Sequence, residues 1–115
     1  MGRVFTRRLV HQVAVRTPDG AGGHTRRWEE RGAIWGDVRM RSGGLGQSDF
    51  GHSPRLRLRI LTHFVPHGHP TRPEPGQRLR DGARIFAVEA VQETEGRAKH
   101  LVVLASEIAA SEAEG

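Results

Sequence analysis

The chain has 115 residues, with 18 Lys plus Arg against 13 Asp plus Glu, a net charge of +5, and no cysteine. That length suits one domain and leaves no room for a second, and the absence of thiols excludes disulfides and thiolate metal sites. Residues 1–15 are broken by Arg3, Arg7, Arg8 and His11, and no apolar run approaches the ~20 residues of a membrane helix, so the expectation is a soluble chain made in the cytoplasm, with no membrane partner.

Residues 1–7 read as a flexible arm. Residues 8–16 then alternate, with Leu9, His11, Val13 and Val15 on one side and Val10, Gln12, Ala14 and Arg16 on the other. Period two with β-branched residues predicts a strand. Asp19-Gly20-Ala21-Gly22-Gly23 follows as a hairpin turn. Pro18 lacks a donor, which places it outside the paired strand. The return begins near His24, with Trp28 packing on the body and Gly32 allowing a bend or bulge. A second run, residues 33–41, puts Ile34, Gly36, Val38 and Met40 on one face, and Ala33, Trp35 and Asp37 on the other.

Residues 42–54 form a glycine-rich loop holding Leu45, Phe50 and His52. A loop this long in a small domain is either functional or disordered, and two readings stay open: anchors that order on contact, or a loop folded on its own core. Residues 55–64 give the clearest strand. Leu56, Leu58, Ile60, Thr62 and Phe64 alternate with Arg55, Arg57, Arg59, Leu61 and His63. The arginine face goes to water, to an acidic neighbour or to nucleic acid, and such a row also resists edge aggregation. Residues 65–76, with four prolines, are expected to stay extended and unpaired. A short strand at 77–80, a turn at Asp81-Gly82 and a strand at 84–92 make a hairpin. Residues 100–107 are apolar on both faces through Leu101, Val102, Val103 and Leu104, as a strand buried on both sides would be. Residues 108–115 are an acidic tail.

The fold class that follows is all-β: a small β-barrel of about six strands with long flexible loops, one domain over 8–107. Charge divides unevenly, +9 over residues 1–80 and −4 over 81–115, which suggests an acidic partner, passing nucleic acid, or head-to-tail contact between copies.

Chemistry is poorly supported. Seven histidines show no metal-ligand spacing, and His67-Gly68-His69 has no carboxylate nearby before Glu74. No serine lies in a nucleophile elbow, and the glycine turn lacks the helix and lysine of a phosphate loop. The expectation is no enzyme, no metal and no cofactor. A small nucleic-acid-binding β-barrel is the competing reading, weakened because no aromatic residue interleaves with Arg55, Arg57 and Arg59.

Taken in order, Arg8-Leu9-Val10-His11-Gln12-Val13, the Thr17–Gly23 turn, Trp28, Ile34-Trp35-Gly36-Asp37-Val38, Leu56-Arg57-Leu58-Arg59-Ile60 and Gly82-x-Arg84-Ile85-Phe86-Ala87-Val88 resemble the head–tail joining proteins of tailed phages. These are also called head closure or stopper proteins, and they include the equivalent component of phage-like gene transfer agents. The resemblance spans residues 8–107. Gly36, where relatives often carry alanine, and the long proline loop depart from it. It implies a non-enzymatic structural connector, assembled in the bacterial cytoplasm into a virion or gene transfer agent particle. There it would form a homo-oligomeric ring between the portal or adaptor and the tail terminator, retaining double-stranded DNA in the channel and offering the tail a docking surface. By that analogy Arg41, Leu45, Phe50 and His52 contact the partner, and Arg55, Arg57 and Arg59 face DNA or a neighbouring subunit.

Overall fold

A computed structural model describes residues 5–41, 56–95 and 99–109. The strand β3 (Arg57–His63) shows most directly how alternation becomes structure: Leu58, Ile60 and Thr62 are buried while Arg57, Arg59 and His63 are exposed. Around it lie β1 (Arg7–Pro18), β2 (His24–Met40), β4 (Arg78–Asp81), β5 (Arg84–Glu93) and β6 (His100–Ile108). All neighbours are antiparallel, and the sheet closes as a barrel in the order β1-β2-β3-β6-β5-β4. Closure rests on three residue pairs between β1 and β4, from Val10↔Arg80 to Gln12↔Arg78. The inward residues Leu9, Leu58, Ile60, Leu79, Phe86, Val88, Val103 and Ala105 form one core. Phe86 is its largest fully buried side chain, and burying such a ring contributes about 3 kcal/mol.

The two-sided apolar character of β6 is used as expected. Leu101, Val103 and Ala105 face the core, while Val102 on the outer side is also buried and Leu104 half-buried. Gly36 is packed tightly: a Cβ there would stand 3.0 Å from Ile60 Cγ2 and 3.2 Å from the Leu61 carbonyl oxygen. A side chain at position 36 would therefore require Ile60 and the β3 backbone to shift.

Three expectations about local structure change. Pro18 is the last residue of β1, opposite His24, rather than outside the strand. The ladder ends there, so the missing N–H costs nothing. The turn beyond it is held by Asp19, whose Oδ1 accepts from the Ala21 and Gly23 N–H groups at 2.8 and 3.1 Å. Next, residues 24–31 and 33–41 are not separate pieces. β2 runs continuously through Gly32, which sits at φ +127° beside a register shift opposite His11 and Gln12.

That bulge has a large effect. Ile34, Gly36 and Val38 face inward, so strict alternation would aim Trp28 inward too. The extra residue, Arg31, reverses the phase. Trp28 then pairs with Ala14 and lies on the outside. Among the described residues, β1 past Gln12 has β2 as its only strand neighbour, and β2 meets β3 only over Gly36↔Thr62 to Met40↔Leu58. The hairpin therefore leaves the barrel as a two-stranded ribbon, about 20 Å long at ~3.3 Å per residue.

Third, the proline segment is folded, not extended. Its turns are closed by His69 N–H to Pro66 O at 3.2 Å and Arg72 N–H to His69 O at 3.0 Å. Order also reaches into the expected arm: Arg7 opens β1, and the Phe5 ring meets His63 edge-on at 4.5 Å and His100 at 5.7 Å. The outward pair His63↔His100 makes that seat.

Candidate functional site

The outer wall of β2 and β3 carries the predicted arginines. Arg59 stands directly opposite Arg39, an unfavourable like-charge pairing on a sheet face. Arg39 is relieved by Asp37, with Nε to Oδ2 at 3.0 Å. Arg57 and Arg59 have no ion pair among the described residues. A shallow hollow of about 170 Å3 lies between Asp37, Arg39, Arg59 and Leu61. On the same outward face, Trp35 is 49% exposed. Guanidinium groups here are free to grip carboxylate or phosphate bidentately.

Of the expected partner-binding residues, Arg41 stands at the end of this wall. Its N–H donates to Arg57 O at 3.0 Å, and its guanidinium bonds Glu89 Oε1 at 3.1 Å. Leu45, Phe50, His52 and Arg55 lie outside the described residues. Arg41, Arg57 and Arg59 are thus brought together by the β2–β3 ladder, which turns a pattern along the chain into a surface.

A second basic cluster was not singled out from sequence. The Arg78 guanidinium carbon lies 3.6 Å from the Trp28 ring centroid and that of Arg26 5.3 Å away. Arg78 is buried. Burial lowers its proton affinity, and the neighbouring Arg26 and Arg80 lower it further. Trp28 Nε1 is buried without a hydrogen-bond partner. Such stacking contributes about 0.5–2 kcal/mol and ties the root of the ribbon to the barrel. The only sequence signal was Trp28, because its partner is fifty residues away and reaches it only through the bulge.

Within the proline segment, Arg72 is 5% exposed. It donates to Val65 O at 2.9 Å and to Glu93 Oε2 at 3.1 Å, while His67 Nε2 lies 3.6 Å from that same oxygen. The segment is latched across the barrel end by one buried cation. Arg84 and Glu107 clasp the far ends of β5 and β6 at 2.9 and 3.1 Å. Their hydrogen bond holds the Glu107 carboxyl below, and the Arg84 guanidinium above, its usual proton affinity.

The histidines do not converge on a metal: among the described residues no group of three or more His, Asp or Glu side chains could hold one. His11 is wholly buried on the core face of β1. Its Nε2–H donates to Gln77 Oε1, its Nδ1 has no partner, and desolvation lowers its proton affinity. It is a neutral core residue.

Comparison with known proteins agrees with this architecture. No curated protein matches. A solved structure, of the virion of a native gene transfer agent particle, contains a similar chain at 36% identity with a TM-score of 0.76, the alignment covering 95% of this chain and 100% of that one. Residues 3–108 match the family model described as phage head completion protein. With nearly the whole barrel inside that match, this chain belongs to the phage head completion protein family.

Proposed function

We propose that this chain is the stopper of a tailed phage or gene transfer agent. It forms a homo-oligomeric ring between portal or adaptor and tail terminator, closes the filled head, and presents the surface on which the tail docks. Its work is structural rather than catalytic, and it assembles in the bacterial cytoplasm. The observation that carries this reading is the likeness over almost the entire length of both chains to a protein of a gene transfer agent particle, joined to a barrel whose outer wall bears Arg57 and Arg59, without an ion pair among the described residues.

In this reading Arg41, Leu45, Phe50 and His52 meet the adaptor. Arg55, Arg57 and Arg59 face double-stranded DNA or a neighbouring subunit, where guanidinium forks suit either acidic partner.

Deleting the gene in a producing strain tests the proposal. Heads that package DNA but lose it and carry no tails are the expected product. Tailed, DNA-filled particles from the deletion strain would overturn it. Tight, salt-sensitive binding of single-stranded DNA by the free protein, with normal particles in its absence, would favour a nucleic-acid-binding barrel instead.

A further inference from the structure

β2 has a long open edge. Its ladder with β3 begins only at Gly36, so residues 24–35 have no strand on that side among the described residues. Bare edges are hazards that proteins cover or charge, and a two-stranded ribbon is marginal alone in water. Here the edge carries both signs. Glu29 is satisfied by Arg27 at 2.9 Å. Glu30, exposed, has no ion-pair partner among the described residues.

The converse surplus lies on the wall. Among the described residues Arg57 and Arg59 have no carboxylate partner, and Arg59 is set against Arg39. Trp35, four residues before Arg39 on the same outward face of β2, is half exposed, the kind of side chain that anchors interfaces. Glu30 and Arg39 are nine positions apart on one strand, about 30 Å at ~3.3 Å per residue. The two surpluses cannot meet within one copy. They are suited to a head-to-tail contact, the type that closes into rings.

We propose that Glu30 on the ribbon of one copy seats against Arg57 and Arg59 on the β3 wall of the next copy, with Trp35 at the foot of the contact. This rests on the ring reading above. The partner is a second copy of this chain because each surface supplies what the other lacks.

The cysteine-free chain allows a direct test. Glu30→Cys and Arg59→Cys are placed together in the producing strain, and purified particles are treated with a short bis-maleimide. A ladder from dimer upwards is expected, with either single variant staying monomeric. Tailed particles that contain several copies per connector yet yield only monomer would overturn the contact while leaving the ring intact. Equal cross-linking by Glu30→Cys alone would overturn it too, by showing a symmetric contact. One copy per connector would instead overturn the ring.

Charge exchange covers the case where the double cysteine variant does not assemble. Glu30→Arg and Arg59→Glu should each lower particle yield about tenfold, and together restore it, as complementary charge pairs do. Failure to restore would overturn the pairing. Loss of DNA with normal assembly in Arg59→Glu alone would overturn it by assigning the wall to DNA.

Discussion

His11 is the residue where burial and charge most clearly compete. Its ring is fully enclosed, and a proton on Nδ1 would find no acceptor. Desolvation therefore lowers its affinity below the ordinary value of 6.5, with the Gln77 bond partly offsetting this. The unfolded chain takes up that proton more readily than the folded one. The stability is complete above pH 6.5 and falls as pH drops below it, by up to about 1.4 kcal/mol per pH unit for one proton. Denaturant titrations near pH 7.5 and near pH 5.5 should show this loss, and His11→Leu should flatten it. An unchanged slope in the variant would assign the effect to other groups.

At the scale of elements, two devices carry the architecture. The first is the bulge in β2. Gly32 holds φ +127° with open space where a Cβ would go, so the cost of Gly32→Ala is backbone strain rather than collision. We expect a loss of about 1–2 kcal/mol, together with a changed emission from Trp28, because its outward phase depends on the bulge. Unaltered fluorescence and stability would show that the ladder tolerates the alanine. The second device is the Arg72 latch. Arg72→Ala removes one buried cation from two acceptors, Val65 O and Glu93. Because Glu93 is partly exposed, the expected cost is about 1–3 kcal/mol. Hydrogen exchange should rise at the amides of His69 and Arg72, which close the turns of the segment. Protection equal to the parent chain would mean that the prolines hold the segment unaided.

For the whole molecule, stability concentrates in the barrel interior. Domains of this size have about 5–15 kcal/mol of net stability, and Phe86 lies at the centre of the only core cluster found among the described residues. Phe86→Ala should cost about 3–5 kcal/mol, enough to leave much of the free protein unfolded at 37 °C. Calorimetry would register a lowered and broadened transition. Incorporation of the variant into particles at normal yield would show that assembly supplies the missing stability by mass action. The ribbon contributes little to that core. Its side chains from Ala14 to Arg27 are mostly exposed, which is consistent with a part built for contact rather than for holding the fold.

Much of the barrel was legible in residue alternation. Leu58, Ile60 and Thr62 against Arg57 and Arg59 and the doubly apolar β6 read directly, because a strand sends successive side chains to opposite faces whatever it pairs with. The turn expected at Asp81-Gly82 falls one residue later, at Gly82-Ala83, with Asp81 closing β4 opposite Arg84. What alternation cannot convey is phase across a bulge and partnership between distant strands. Trp28 reads as inward by counting and stands outward because of one extra residue. Arg72 looks like one more polar residue in a proline loop, and its burial depends on Glu93, brought close by β5. Arg78 reaches Trp28 only once three pairs join β4 to β1. The sequence by itself determined which residues form strands and which face of each is apolar, since those follow from local sterics and hydrophobicity. The tertiary structure alone decided the closure order, the open edge of β2 and the arginine wall at Arg39, Arg57 and Arg59, because cross-strand register is set by pairings between residues far apart in the chain.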